Sequence, residues 1–387
     1  RHRASDPPHD PRQNLPLDVP DMWAPAVPPE EEDGIEHPQL KGVSQTMHFG
    51  NVPVYGYKRR QVDAEAIGDG RQEWMMMFPP SYTTKQLEDI CEKVAAKNAT
   101  CDYVGHPDDH GLPLLNINAP EPDMRASAVL CPEARYIEVS GPTKKLPFGA
   151  TVDPDTPYPM RSVPWGLDRI DQRLGLDGTY QPFSGGRGAH IFHLDTGISV
   201  TSDEFGGRAL PRLDMTRTTS DGLKYTECED NNINCAADRD GHGTHTAGSI
   251  ASKTYGVAKE ATIHAVKVLG DNGAGSWAWF IGALDWVMYW THKHSIKPAI
   301  VAASLGGSGR LQIVKEAIEK ATDSGLTVVV AAGNENMNAC FYSPAYVPSA
   351  ITVGSVDHND KRSSFSNYGP CVDLFAPGSG IVSLSYI

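Results

Sequence analysis

Two histidines lie three residues apart in the stretch RDGHGTHTAGSI, residues 239–250, among glycines and small hydroxyl residues. A histidine changes its charge near neutral pH, so His242 could transfer a proton or ligate a metal. A zinc site is disfavoured, because His242 and His245 stand at i, i+3 spacing with no Glu between them, and no third His, Asp or Cys cluster has ligand spacing. We therefore interpret His245 as a structural helix residue.

Two other polar residues follow apolar stretches that read as buried strands. Asp195 follows AHIFHL, and Asn334 follows LTVVVAAG. Taken singly, such residues are more often turn or cap residues, and a histidine near a helix start is usually structural. As a set, Asp195, His242 and Asn334 have no obvious packing role, which favours a shared chemical role.

From Val163 onward the sequence predicts alternating strands and helices that could position these residues. The predicted strands are AHIFHLDTG, ATIHAVKVL, AIVAASLGG, LTVVVAAGN and AITVGSV. The predicted helices are residues 242–252, SWAWFIGALDWVMYWTHKH and RLQIVKEAIEKATDSG. This alternation predicts an α/β fold with a mostly parallel sheet and helices on both faces. Functional sites in such sheets gather at the carboxyl ends of the strands, where Asp195 and Asn334 stand.

In the contexts LDTGI, DGHGTHTAG and VVAAGNEN, the three residues resemble the subtilisin superfamily of serine proteases, most closely its proteinase K-like branch. The resemblance covers roughly residues 163–387 and includes the motifs VPWGLDRIDQR, YGVAKEATIHAVKVLGDNGAGS, ASLGG, YSPA and SSFSNYGPCVDLFAPG. The order Asp, then His, is also that of the subtilisins. The resemblance implies that His242 is the general base for a serine hydroxyl and that Asp195 orients its ring. It also implies that Asn334 donates its amide to the tetrahedral oxyanion.

The glycine-rich pieces of the chain are not phosphate loops. GGRGAH precedes its strand, and GDNGAGS lacks the Lys-Ser/Thr of such a loop. The resemblance instead implies two edges that bind an extended peptide as added β-strands, with simple tight turns as the alternative. These edges are Asn272, Gly273 and Ala274, and Ser304, Leu305 and Gly306. The following GSGRL lacks the acidic cluster with which kexin-like members bind paired basic residues, so we expect a preference for apolar or aromatic residues before the cut.

The first part of the chain differs from the rest in composition and in its predicted elements. Residues 1–72 are rich in Pro and acid, which predicts a disordered leader. Residues 73–141 predict a small α+β module, with a strand and a helix, an irregular stretch, then a helix and a strand. The module resembles the inhibitory propeptide of the subtilisins, which implies binding to the peptidase domain in cis; a generic α+β domain is the alternative. Residues 142–162, with five prolines, predict a linker before the peptidase domain at 163–387.

The resemblance also implies covalent and ionic supports. Cys340 and Cys371 occupy positions that are bridged in secreted bacterial members of the branch. The carbonyls of Pro348 and Ala350, together with Asp373, match a calcium site of proteinase K-like enzymes, and hard oxygen ligands suit that ion. The resemblance therefore implies a structural calcium and no cofactor for catalysis.

The pairing of the other cysteines stays open. Cys228 and Cys235 flank EDNNIN and could close a local loop. Cys91, Cys101 and Cys131 lie in the propeptide-like module, and their odd number leaves at least one without a local partner.

Members of the superfamily carry the nucleophile in a Gly-Thr-Ser-Met-Ala type motif, which does not occur in this sequence. Alignment through LFAPGSGIVS places the expected serine beyond Ile387. Ser379 is no substitute, because it lies in a Pro-Gly turn with no following helix. We therefore expect a fragment of a serine endopeptidase zymogen that is inactive as it stands. The alternative is a truncated form that binds or inhibits proteases.

Composition limits the partners. The net charge of −14 argues against nucleic acid and anionic lipid, which both need a basic footprint. No apolar run approaches the roughly 20 residues that span a bilayer. We expect protein or peptide substrates, the propeptide in cis, no nucleic acid and no membrane span. The bridged-cysteine positions and a sequon at Asn98 favour a secreted or extracellular protein, although the sequence shows no signal peptide.

Overall fold

The structure is a computed structural model that describes residues 47–56, 70–95, 97–147, 163–216 and 225–386. These residues form an amino-terminal module and an α/β body. The module has a hydrophobic core of its own, and a second, larger core is shared between the module and the body. Residues 1–46 and 57–69 of the predicted leader lie outside the described residues. None of the helices in the described ranges is long and apolar enough to cross a bilayer.

The module is a six-stranded sheet with two helices. Its elements are β1 Met47–Phe49, β2 Val52–Tyr55, β3 Arg71–Met77, α1 Thr84–Ala95, β4 Thr100–Val104, β5 Leu114–Pro120, α2 Glu121–Val129 and β6 Tyr136–Val139. The strand order is β1-β2-β6-β3-β5-β4. Strands β3 to β6 pair antiparallel and, with the two helices, follow the β-α-β-β-α-β order of ferredoxin-like folds.

Two predictions for this region are wrong. The leader predicted over residues 1–72 includes β1, β2 and the start of β3, because Phe49, Val52 and Val54 bury their side chains in the module core. The stretch predicted to be irregular contains β4 and β5, which pair as a hairpin. Short strands surrounded by Pro, Gly and acidic residues carry little periodic signal, so only the completed sheet reveals them.

The α/β body contains the strands and helices that the sequence predicts, together with several shorter ones. Its helices are α3 Trp165–Ile170, α4 His242–Ala251, α5 Trp277–Lys293 and α6 Gln312–Asp323. The main sheet consists of β8 His190–Asp195, β9 Ala209–Asp214, β10 Thr226–Glu227, β11 Thr262–Lys267, β13 Ala299–Ala303, β15 Thr327–Ala331, β17 Ile351–Val356 and β18 Leu374–Pro377.

This sheet has the order β10-β9-β11-β8-β13-β15-β17-β18, and every pair except β9–β10 is parallel. Successive side chains of a strand point to opposite faces. On β8, Ile191 packs in the cluster that contains α4, whereas Phe192 and Leu194 pack in the cluster that contains α5 and α6. The helices therefore cover both faces, and the predicted α/β class is confirmed.

A second, four-stranded sheet runs along the body in the order β12-β7-β14-β16. Its strands are β7 Pro142–Lys145, β12 Ala274–Ser276, β14 Leu305–Ser308 and β16 Tyr342–Ser343. The prediction of a linker over residues 142–162 is wrong at its start, because β7 pairs on both sides. The predicted single strand AIVAASLGG is divided at Ser304, where the chain leaves the main sheet for this second one.

Candidate active site

The ends of two elements bring Asp195 and His242 together. Asp195 is the last residue of β8, and His242 is the first residue of α4. His242 Nδ1 lies 2.7 Å from Asp195 Oδ1, and both side chains are buried. Asp195 Oδ1 also accepts the Thr196 N–H at 2.7 Å, which fixes the carboxylate. Gly241, just before the helix, has φ +103 and no space for a Cβ beside the Tyr386 ring, so this turn requires glycine.

The two buried groups shift each other's pKa. Burial opposes the charged form of both, but the charge and hydrogen bond of His242 lower the pKa of Asp195 below its ordinary value. In the same way, burial is outweighed by the carboxylate of Asp195, which raises the pKa of His242. Asp195 is therefore ionised at neutral pH and holds the imidazole in one orientation.

The second ring nitrogen of His242 faces another acceptor. Nε2 lies 2.8 Å from the carbonyl oxygen of Leu146, which follows β7. A carboxylate on one nitrogen and a carbonyl on the other can both be satisfied only if both nitrogens carry a proton. The hydrogen bond to Leu146 accordingly adds to the rise in the pKa of His242. In this arrangement the histidine is held as an imidazolium.

Asn334 lies just beyond β15 and contacts the next residue of the same segment. Its Nδ2 donates to the carbonyl oxygen of Pro147 at 2.7 Å. His242 and Asn334 thus bind consecutive carbonyl oxygens of one extended stretch. A candidate base and an amide donor therefore lie beside the same short stretch of backbone, and the amide is placed to donate to a carbonyl oxygen.

The two predicted peptide-binding edges pair with that stretch. Strand β7 lies between β12 and β14 and is antiparallel to both. The Lys145 N–H donates to the Gly273 carbonyl at 2.9 Å, and the Leu146 N–H donates to the Ser304 carbonyl at 3.2 Å. Asn272 itself forms a turn, since its Oδ1 accepts the Ala274 N–H at 3.0 Å. The edges are turns and also templates for an added strand.

Sequence analysis missed two acidic residues that join the module to the body. Glu138 of β6 is buried, and its carboxylate accepts the N–H groups of Gln312 and Ile313 at the start of α6, at 3.3 and 2.8 Å. A carboxylate at a helix N-terminus satisfies free donors and complements the helix dipole. An acidic residue in a strand carries no local signal of such a tertiary contact.

The second is Asp285 on α5, which is completely buried against the module. Its Oδ2 lies 2.7 Å from His106 Nδ1 and accepts the Tyr103 hydroxyl at 2.7 Å, and its Oδ1 accepts the Leu112 N–H. Burial opposes a charged His106, but the hydrogen bond and charge of Asp285 raise the pKa of that histidine. The module is thus held to the body by hydrogen bonds to buried acidic side chains as well as by apolar packing.

The cysteines and the other predicted residues form separate contacts elsewhere in the described part of the chain. Cys340 and Cys371 form a disulfide with a Cα–Cα distance of 5.3 Å, and two further disulfides join Cys91 to Cys101 and Cys228 to Cys235. Cys131 is a buried free thiol.

Asp373 Oδ2 accepts the Thr352 N–H at 2.7 Å. The Ser379 hydroxyl lies 2.7 Å from that of Ser363.

The α/β body is similar to known proteins. The model of the Subtilase family, Peptidase_S8, matches residues 186–386. The chain is similar to the "Extracellular serine proteinase" of Thermus sp. (strain Rt41A), at 50% identity over 57% of this chain and 50% of the relative. It is also similar to "Proteinase R" of Parengyodontium album, at 41% identity over 58% of this chain and 54% of the relative.

The chain is also similar to a solved structure. The chain is similar to the crystal structure of a cold adapted subtilisin-like serine proteinase, with a TM-score of 0.51 and 42% identity over 58% of this chain and 76% of that chain. The present chain spans about half the length of the two curated relatives.

Proposed function

Because the chain belongs to the subtilase family, we propose that the whole protein is a serine endopeptidase made as a zymogen, in which Asp195, His242 and Asn334 serve catalysis. The observation that carries the proposal is the position of the segment after β7. Its consecutive carbonyls reach His242 and Asn334 while its backbone pairs with both cleft edges. A peptide substrate would pair with the same two edges and present its reacting carbonyl to the Asn334 amide.

The proposed reaction uses a serine nucleophile of the whole protein. The serine oxygen attacks the peptide carbonyl carbon, and its proton passes to His242 Nε2 while Asp195 stabilises the imidazolium. The Asn334 amide donates to the oxyanion. Collapse breaks the C–N bond as His242 returns the proton to the amine, and water then hydrolyses the acyl ester by the same sequence. No cofactor takes part.

The amino-terminal module acts in cis as the inhibitory propeptide in this proposal. Its last strand occupies the cleft, and its Leu146 carbonyl holds His242 in the protonated form, in which the imidazole cannot accept a proton from serine. Glu138 and Asp285 anchor the module on α6 and α5. Release of the cleft requires cleavage of the chain near Leu146 and Pro147, followed by dissociation of the module.

A structural calcium and an extracellular location complete the proposal. Asp373, with the carbonyls of Pro348 and Ala350, would hold the ion, and these hard oxygen donors suit it. One oxygen of Asp373 accepts the Thr352 N–H, and a carboxylate has lone pairs to spare for a cation as well. Three disulfides are consistent with an oxidising environment.

The test is hydrolysis by the whole protein, expressed from its full coding sequence. Turnover of a chromogenic peptide should be abolished by a sulfonyl fluoride and by the change His242→Ala. His245→Gln is the matched control, because His245 lies one turn along α4 and is expected to retain turnover. A stable protein without turnover, which instead binds other proteases, would support the alternative of a protease-binding protein.

A further inference from the structure

One side chain of the segment in the cleft forms an ion pair beside the histidine. Lys145 Nζ lies 2.5 Å from Oδ1 and 2.7 Å from Oδ2 of Asp240, two residues before His242. The Asp240 side chain is 8% exposed and that of Lys145 is 31% exposed. Two short contacts to a nearly buried carboxylate make this pair stronger than an ordinary surface ion pair.

The cleft is shaped to admit the Lys145 stem. A Cβ placed on Gly273 would lie 2.6 Å from both Cδ and Cε of Lys145, so the lysine chain runs directly over this glycine. Gly273 also has φ +74, which disfavours other residues. The glycine and the acid together form a channel with an apolar side and a charged end, which suits a long basic side chain.

The neighbouring side chains have different environments. Thr143 and Leu146 are buried, whereas Lys144 is exposed. Of the two adjacent lysines, only Lys145 enters the channel. The selection therefore acts at one position and is distinct from the pocket that buries Leu146.

The nearby acid Asp271 cannot substitute for Asp240. Its carboxylate lies 2.9 Å from Lys267 Nζ and 3.7 Å from Arg239 Nη1, so two cations of the body balance its charge. Asp240, by contrast, has the Lys145 ammonium as its cationic partner in the cleft. Once the segment leaves, a nearly buried carboxylate would face the cleft and favour another cation in that place.

We propose that Asp240 is a specificity-determining residue, which selects Lys or Arg in substrates at the position immediately before the residue that takes the place of Leu146. This inference rests on the proposed function, since it concerns the peptide cleft of the same site. It adds a basic requirement at one subsite to the apolar preference expected at the next.

A purely structural role for Asp240 must be separated from this one. Its Oδ1 also accepts the His242 N–H at 3.2 Å, so the carboxylate could merely order the start of α4. The change Asp240→Asn retains an acceptor for that N–H and removes the charge. The change Lys145→Met retains the apolar stem and removes the cation.

The first experiment uses the 387-residue chain and needs no turnover. Hydrogen exchange of the Lys145 and Leu146 N–H groups, which pair with Gly273 and Ser304, reports how firmly the segment is bound. Asp240→Asn and Lys145→Met should each accelerate this exchange by about 10-fold, the effect of losing a partly buried charge pair. The double variant should show no further acceleration. Unchanged exchange in Lys145→Met, or strictly additive effects, would overturn the proposal.

The second experiment uses the whole protein and quenched peptides of sequence Pro-Thr-Lys-Xaa-Leu-Ala-Gly, with Xaa as Lys, Arg, Met or Glu. We expect kcat/KM to be about 10-fold higher for Lys and Arg than for Met, mainly through KM, and lowest for Glu. Asp240→Asn should abolish the ratio, whereas the control Asp271→Asn should retain it. Hydrolysis with equal rates for Lys and Met overturns this inference alone. No hydrolysis of any peptide contradicts the proposed function, while the exchange result still decides whether Asp240 binds Lys145.

Discussion

The Nε2 atom of His242 lies 2.8 Å from the carbonyl oxygen of Leu146, so the histidine expected to accept a proton donates one to its own chain. In the proposed zymogen, this contact links inhibition to the protonation state of the base. Both His242, beside Asp195, and His106, beside Asp285, have a raised pKa in this docked state. Both histidines lie at contacts between the amino-terminal part of the chain and the body.

The docked segment should therefore loosen as pH rises. His106 meets Asp285 only when the module is docked, so it stabilises the docked state fully below its ordinary pKa of 6.5, and this stabilisation is lost as pH rises through the raised value. The Leu146 carbonyl acts in the same direction on His242, whose pKa Asp195 already raises. The protection factor of the Leu146 N–H, corrected for intrinsic exchange, should fall between mildly acidic and alkaline pH. His106→Gln should reduce that fall. A protection factor that is constant or rises with pH would contradict this prediction.

Loss of the Asn334 amide should impair chemistry more than binding. In a subtilisin, removal of such an oxyanion donor costs about 10²–10³ in kcat, and we expect a loss of that size for Asn334→Ala in the whole protein with KM little changed. Steady-state kinetics on one peptide measure both quantities. Asn231→Ala, on an exposed turn, is the control. A variant that retains wild-type kcat would remove Asn334 from the proposed mechanism.

The disulfide that closes the longer loop should stabilise the protein more. Cys340–Cys371 closes a separation of 31 residues, so the double change to Ser should lower the free energy of unfolding by about 3–4 kcal/mol in the chain-entropy model. Cys228–Cys235 closes a separation of only 7 residues and should cost about 2 kcal/mol by the same relation. Denaturant unfolding under oxidising conditions measures both, and a reversed order would contradict the prediction.

Calcium should raise the thermal stability if Asp373 and the two carbonyls bind it. A ligand present at about 100 times its Kd stabilises the native state by roughly 2.7 kcal/mol. Addition of a chelator should lower Tm, and Asp373→Ala should lower Tm in calcium and make the protein insensitive to chelator. If the chelator lowers the Tm of wild type and of Asp373→Ala equally, the ion binds elsewhere. If the chelator changes the Tm of neither protein, the calcium site is excluded.

The peptide position occupied by Leu146 should accept apolar or aromatic residues. Leu146 is buried, and the GSGRL stretch after the Ser304 edge provides no acidic cluster for a basic residue. A peptide library with that position varied should give the highest kcat/KM for Leu, Phe or Tyr. A profile dominated by Arg or Lys at this position would contradict the prediction.

The hydrophobic pattern of the sequence was sufficient to predict the long strands and helices. The buried runs ending at Asp195 and near Asn334 are strands of a parallel sheet, and His242 does begin a helix, because these patterns persist over whole elements. Since parallel strands place their carboxyl ends together, the sequence alone assigns Asp195 and Asn334 to one edge of the sheet, whereas the place of His242 follows from the resemblance.

Tertiary contacts account for what local pattern missed. Strand β7 begins with Pro142 and is followed by Pro147, and it acquires its pairing only from β12 and β14. In the sequence, Glu138 and Asp285 look like ordinary polar residues. Their role follows only from the fold, which brings the start of α6 against Glu138 and the His106 loop of the module against Asp285. Asp240 is the first residue of the DGHGTHTAG motif, yet its proposed role depends on a lysine 95 residues away.

The most direct test of the account compares the 387-residue chain with the whole protein in one assay. Separate samples of each are incubated with a chromogenic peptide or with a serine-directed fluorophosphonate, and cuts between Gly141 and Val163 are mapped by mass spectrometry in untreated samples. The account predicts that the whole protein is labelled, is cut in this interval and hydrolyses the peptide, and that His242→Ala abolishes all three. It predicts that the 387-residue chain does none of these. Inhibitor-sensitive turnover by the 387-residue chain, or a folded whole protein that is neither labelled nor cut, would contradict it.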